Sequence, residues 1–313
     1  MSYYLGIDVG GTNLRAAVAT DDLAFLSRLS EPTPTASASA VSEAIRRLVQ
    51  RACADAGVST DRIRAAGVGS AGPFDDSAGA IVGSPNIPSD GGRIEIVEPL
   101  RELLGTGSVV LRNDAICGAV AERHFADTHT EHMVYITIST GVGAGAIIDG
   151  EVLSGANGNA AEIGHLTVDP TGRMACGCGR DGHWEAYCGG ANIPDYAASI
   201  AREEEIETDL STAADDFTAK DVFDALGDDE LADTVVERIG DWNTIGFANT
   251  IQAFAPTRIA VGGAVASNNP GAILDPVRGN VPDRVMVEVP AIELTDLGDD
   301  IVLKGALLSA RQL

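Results

Sequence analysis

The sequence predicts an α/β protein of two domains, and three observations lead there. Twice in the chain an apolar strand runs into a glycine-rich turn and on into a second apolar strand. Helical periodicity and single strands alternate between and after these two units. The 313 residues suffice for two cores with a shared cleft.

The first unit is Leu5-Gly6-Ile7-Asp8-Val9-Gly10-Gly11-Thr12 followed by Leu14 to Val18. The second is Met133 to Ile138, the turn Ser139-Thr140-Gly141-Val142-Gly143, and Gly145 to Ile148. Alternating apolar residues mark the strands, and the glycines mark places where a ligand or another backbone comes close. This is a structural repeat of β-hairpin type, one in each half of the chain. Between the two, helical periodicity runs through Ser42 to Ala56 and a strand follows at Ala65 to Val68. A further strand, Ser108 to Leu111, leads into Arg112-Asn113-Asp114 and a helix over Ala115 to Glu122. The acidic stretch Glu203 to Asp233 reads as surface helix and loop. A late strand, Arg258 to Val261, runs into Gly262-Gly263, and the apolar tail Ile301 to Ala310 is helical. No Pro/Ser-rich linker separates the halves.

The formal charge of −25 argues against nucleic acid and against an anionic membrane surface as partners. No apolar run is long enough for a membrane span or a signal peptide, and the chain opens almost directly on a strand, so a cytoplasmic protein without a further N-terminal domain is expected. Five cysteines do not make a disulfide framework. Lysine occurs only at Lys220 and Lys304. Excess carboxylate with so little lysine fits a surface kept soluble in concentrated salt, where screening removes self-repulsion; an ordinary acidic enzyme would carry more lysine.

The densest chemistry lies in Glu162-Ile163-Gly164-His165 and Cys176-Gly177-Cys178-Gly179-Arg180-Asp181-Gly182-His183-Trp184-Glu185. The glycines allow a tight knuckle that aims Cys176, Cys178 and His183 at one point, with His165 as the fourth corner. A lone cysteine would read as a buried thiol. Four thiolate and imidazole ligands together read as a closed, tetrahedral, structural zinc site.

These two motifs resemble the signature of the ROK family of sugar kinases and repressors, in which Glu-x-Gly-His precedes a Cys-x-Cys-Gly-x-x-Gly-Cys zinc knuckle and a glutamate. Two departures stand out: His183 replaces the family's last cysteine, and Ala161 stands where glycine is usual before the glutamate. Histidine is an equally competent zinc ligand, so a site of two cysteines and two histidines is expected. Over the whole chain the arrangement also resembles the actin, hexokinase and Hsp70 ATPase fold (ribonuclease H-like), which implies nucleotide and sugar in an interdomain cleft. By that analogy residues 1–115, completed by helix 301–313, form a small α/β domain, and residues 116–300 form a large α/β domain with the zinc knuckle at 165–183.

The turn Asp8-Val9-Gly10-Gly11-Thr12-Asn13 offers amides and a hydroxyl to phosphate oxygens, and Asp8 offers a hard carboxylate to magnesium. Asp and Gly also favour an ordinary β-turn. The resemblance makes this turn the first phosphate loop, implies a second at Thr140-Gly141, and places Gly262-Gly263 against adenosine; the cofactors implied are Mg-ATP and structural zinc. There is no Gly-x-x-x-x-Gly-Lys-[Ser/Thr], so a P-loop mechanism is out. Asp114 matches the family's catalytic base, while by itself it would read as a helix N-cap. Asn86, Asn113, Asp114, Glu162, His165 and Glu185 match positions that hold the sugar, with His165 giving one ring nitrogen to zinc and the other to a hydroxyl.

The resemblance therefore implies an ATP-dependent hexose kinase, a glucokinase by preference, acting on the sugar 6-hydroxyl. Its partners would be hexose and ATP, with assembly as a homodimer or homotetramer. The alternatives are a kinase for fructose, mannose or an N-acetylhexosamine, a sugar-responsive repressor, and a catalytically silent sugar-binding protein. Against the repressor stand the short stretch before Asp8 and the acidic charge.

Overall fold

The structure is a computed structural model that describes residues 2–75, 77–83, 92–126, 130–156, 158, 160–212, 214 and 216–313. The chain divides into two compact units, the first made of Met1–His129, Val152–Ala160 and Leu297–Leu313, the second of Thr130–Glu151 and Ala161–Asp296.

In chain order the first unit contains β1 (Tyr3–Val9), β2 (Asn13–Ala19), β3 (Phe25–Pro32), α1 (Ala38–Asp55), β4 (Ile63–Ser70), β5 (Phe74–Asp75), β6 (Ala80–Val82), β7 (Arg93–Glu95), α2 (Val97–Leu104), β8 (Val109–Asn113) and α3 (Asp114–Phe125). The chain continues through β9 (Met133–Ile138), β10 (Val142–Ile148), β11 (Glu151–Val152), α4 (Glu185–Cys188), α5 (Ile193–Glu204), α6 (Ala219–Asp224), α7 (Glu230–Phe254), β12 (Arg258–Gly262), α8 (Ala264–Asn268), α9 (Pro270–Asn280), β13 (Ala291–Leu294) and α10 (Ile301–Arg311).

The first sheet has the order β3-β2-β1-β4-β8 and the other large sheet β11-β10-β9-β12-β13. In both, the hairpin partner is antiparallel (β1 with β2, β9 with β10) and the next two strands are parallel to the first. The repeat read from the sequence is thus a repeat of sheet topology. Parallel strands place their carboxyl ends on one edge, which is where α/β sheets receive ligands. In the first unit that edge carries Val9, Ser70 and Asn113, which stand in one register row.

Residues Leu5 to Val9 are all but inaccessible because both sheet faces are covered. One face meets α1 and α2 in a core that includes Leu5, Ile7, Ile45, Leu48 and Leu100. The other meets α3 and α10, where Tyr4, Ala65 and Ile116 pack with Leu303 and Leu307. Backbone lies almost on backbone there: a Cβ at Gly67 would meet the Ala306 carbonyl, and one at Gly305 the Cys117 carbonyl. In the second unit α7 packs with α4, α5, α6 and α9. Among the described residues no helix is long and apolar enough to cross a membrane.

The local reading needs two boundary corrections. Helix α1 starts at Ala38, ahead of the expected Ser42, because Ser37 caps it by accepting from the Ala40 amide at 3.2 Å. In α3 the cap is Asn113, not Asp114. The Asn113 backbone is extended and its Oδ1 accepts from Ala115 N at 2.8 Å and Ile116 N at 3.3 Å, which leaves Asp114 in the first helical position.

Candidate functional site

On the ligand edge of the first unit, Asp8 is the last residue but one of β1, and the turn Gly10-Gly11-Thr12 carries the chain into Asn13 and β2. The turn is pinned where it bends. Gly10 N donates to Asn13 O at 3.0 Å, Thr33 N to Thr12 O at 2.9 Å, and Thr33 Oγ1 to Gly10 O at 2.6 Å. Asp8 is 9% exposed and faces Arg15, whose Nη1 stands 3.4 Å from Asp8 Oδ2 and donates to Asp299 O at 2.7 Å. Burial raises the Asp8 pKa to about 7; Arg15 opposes the rise, and the Asp114 and Asp300 carboxylates reinforce it. Burial likewise raises the pKa of Asp114, against the Ala115 amide that donates to its Oδ1 at 2.8 Å. Two carboxylates that feel each other beside a glycine turn can hold a divalent cation with one and accept a proton with the other.

In the second unit the knuckle is a small hairpin. Cys176 N donates to Arg180 O at 2.7 Å, Gly182 N to Met174 O at 2.9 Å, and Trp184 N to Leu166 O at 3.0 Å. The donor atoms of His165, Cys176, Cys178 and His183 all lie within 4.8 Å of one another. Cys176 Sγ is 3.6 Å from His165 Nδ1, and Cys178 Sγ is 3.3 Å from His183 Nδ1. A tetrahedron with metal–ligand bonds of about 2.0–2.3 Å has edges of about 3.3–3.8 Å, so the donor set fits a four-coordinate ion such as zinc. Burial pushes the Cys176 thiol up to about 12, so its thiolate calls for a cation; burial lowers the His183 pKa and keeps that ring in the neutral, ligating form. His165 turns Nδ1 toward Cys176, which leaves Nε2 on the far side of the ring.

A further tie was not read from the sequence. Asp169 is 5% exposed and accepts from Tyr187 Oη at 2.6 Å, from Thr171 N at 2.8 Å and from Thr171 Oγ1 at 2.7 Å. Burial pushes its pKa up, yet these hydrogen bonds outweigh it and hold the carboxyl down to about 2. Tyr187 Oη also accepts from Met174 N at 3.1 Å, so α4 anchors the root of the knuckle. The run Asp169-Pro170-Thr171-Gly172 carries a turn signal that pointed here, but the partner Tyr187 is a tertiary matter.

The remaining candidates of the second unit stand around the end of β9. Thr140 is exposed at the tip of the turn into β10, with Gly141 behind it; Gly262 ends the neighbouring β12 and Gly263 caps α8. Glu162 is exposed and precedes the short turn of 3₁₀ helix that carries His165. Ala161 has φ 61°, a left-handed backbone, which explains why glycine is usual there. Glu185 accepts from Val142 N at 2.9 Å through Oε2 and lies 3.7 Å from Cys176 Sγ through Oε1. Asn86 lies outside the described residues. Arg15, three residues beyond Thr12, is the residue sequence reasoning passed over; a cation directly after a predicted phosphate turn was the available signal.

Two units built on sheets of one topology, each with a glycine turn after its first strand, define a protein of the actin-like ATPase fold. More narrowly, the chain belongs to the ROK family, which it matches over residues 4–312. It is 35% identical over 312 residues to a glucokinase of Pyrobaculum calidifontis, covering 98% of this chain and 94% of that one. A ROK hexokinase from Thermus thermophilus superposes with a TM-score of 0.80 at 33% identity, covering 99% of this chain and 98% of the other. A ROK glucokinase from Streptomyces griseus, solved with glucose and AMPPNP, gives a TM-score of 0.81 at 30% identity with 100% of each chain covered.

Proposed function

We propose that this chain is an ATP-dependent hexose kinase, a glucokinase, that transfers the γ-phosphoryl group of Mg-ATP to the sugar 6-hydroxyl. The observation that carries the reading is Asp114, a carboxylate of raised pKa in the first position of α3, on the ligand edge of the first sheet. In this reading Asp114 takes the proton of the 6-hydroxyl as that oxygen bonds to the γ-phosphorus, while the bond to the β-phosphate oxygen breaks and ADP leaves. Asp8 faces the magnesium of the incoming Mg-ATP. The turns Gly10 to Asn13 and Thr140-Gly141 present backbone donors to the phosphates, and Gly262-Gly263 lies against adenosine. Asn86, Asn113, Glu162, His165 and Glu185 hold the sugar hydroxyls. With Asn113 Oδ1 engaged at the helix cap, its Nδ2 is the group left to donate.

Zinc held by His165, Cys176, Cys178 and His183 would supply rigidity, fixing the backbone that presents Glu162 and leaving His165 Nε2 to donate to a hydroxyl. We place the activity in the cytoplasm, where ATP is made and used, and expect a homodimer or homotetramer, a point light scattering decides.

A panel of hexoses against Mg-ATP in high potassium chloride tests the reading, with glucose expected to be phosphorylated best. Asp114→Asn should remove turnover by about 10²- to 10⁴-fold and leave sugar affinity nearly unchanged, since the amide keeps the shape without the basicity. A variant that retains more than about a third of wild-type turnover would remove Asp114 from the base role.

A further inference from the structure

Glu185 stands where two substructures meet. Through Oε2 it accepts from the amide of Val142, the first residue of β10 and the end of the turn Ser139-Thr140-Gly141. Through Oε1 it lies 3.7 Å from the Sγ of Cys176, one of the four candidate metal ligands. The carboxylate lies hard against the turn: a Cβ at Gly141 would fall on it. The segment just after α4 grips the same turn, with Gly190 N donating to Ser139 O at 2.7 Å and Ala191 N to Thr140 O at 3.0 Å. Gly164, next to the ligand His165, also packs so closely on Val142 that a Cβ there would meet the Val142 carbonyl. The knuckle and its adjoining helix therefore clamp the turn at both of its ends.

We infer that Glu185 is a positioning residue that locks the phosphate turn Ser139–Val142 to the metal knuckle, so that the metal site supports nucleotide binding as well as the sugar pocket. The inference rests on the kinase reading above, which makes this turn a phosphate loop. Its physical basis is that backbone donors serve a phosphate only when they are held before the ligand arrives. A carboxylate that engages the Val142 amide fixes the turn's exit, and the knuckle in turn fixes the carboxylate. A side chain that only bound sugar would leave nucleotide affinity alone.

The test uses the full chain and titrates Mg-AMPPNP by calorimetry into wild type, wild type stripped of metal by a chelator, Glu185→Ala, Glu185→Gln and Gly141→Ala. Hydrogen exchange of the Val142 amide is followed in parallel. Loss of one hydrogen bond to a charged group corresponds to about tenfold, so Glu185→Ala and metal-stripped wild type should bind the analogue about tenfold more weakly and exchange Val142 faster. Glu185→Gln keeps one oxygen for the Val142 amide and should recover most of the nucleotide affinity. Gly141→Ala drives a methyl into the carboxylate and should mimic Glu185→Ala, while the two changes together should cost no more than Glu185→Ala alone. A folded Glu185→Ala with wild-type nucleotide affinity overturns the inference; if that variant does not fold, unchanged affinity in both Gly141→Ala and metal-stripped wild type does so. A wild-type chain that phosphorylates sugar while these variants bind nucleotide normally leaves the kinase reading standing without this tie. A wild-type chain that binds no Mg-AMPPNP sinks both.

Discussion

Ala161 holds a left-handed backbone that a Cβ disfavours by roughly 1–2 kcal/mol, and it does so immediately before Glu162. Glycine would relieve that strain at some cost in unfolded-state entropy, so Ala161→Gly is expected to raise stability by up to about 1 kcal/mol, read as a higher melting temperature. The departure from the family pattern was visible in the sequence; its reason, one backbone angle, was not. Asp114 bears a prediction in pH. A general base works only when deprotonated, and burial lifts this carboxyl above its ordinary range. As pH falls, kcat/KM should therefore begin to drop at a pH above the usual carboxylate value of about 4, with the acid limb assigned to Asp114 by its loss in Asp114→Asn. An acid limb at or below about 4 would contradict the burial argument.

Among the elements, the knuckle was the most legible because cysteine and histidine are scarce in this chain and four of them fall close together. Its geometry supports a firm expectation. Protein purified without added metal should carry about one zinc per chain by elemental analysis, and chelation should lower its melting temperature. His183→Cys should be tolerated, since a thiolate restores the family ligand. Protein free of zinc, with Cys176 and Cys178 both reactive to thiol reagents in the native state, would argue against the site. What holds the knuckle from below was not legible. The Asp169–Tyr187 bond joins residues 18 apart, and the clamp of α4 on the β9–β10 turn spans 43 residues, distances that no local pattern encodes. That Asp114 lies inside α3, with Asn113 as the cap, was not legible for a related reason, because Asn113 and Asp114 are both good caps and only the backbone angles choose.

At the scale of the molecule, charge dominates. With 46 acidic and 21 basic residues, most cations in the described ion pairs are arginines, as where Arg238 meets Glu204 at 2.5 and 2.6 Å. Raising potassium chloride from about 0.1 M toward molar levels shortens the Debye length from roughly 10 Å to 3 Å and screens carboxylate repulsion. Melting temperature and activity should both rise over that range; a flat or falling profile would give the composition another origin. The twofold use of one sheet topology was legible as a repeated hairpin, whereas the return of the last helix to the first unit was implied only by resemblance. That return has a consequence on the ribosome. At about 5–20 residues per second, the stretch between α3 and α10 leaves the first unit's sheet face beneath α10 with α3 alone as cover for on the order of ten seconds or more. Gly67, and the apolar patch of Tyr4, Ala65 and Ile116, wait all that time for Leu303, Leu307 and Ala306. Every residue of the second unit has by then been made. Of the two units, the one begun earlier is thus completed later, and the nascent chain must keep its strands from finding other partners until α10 emerges.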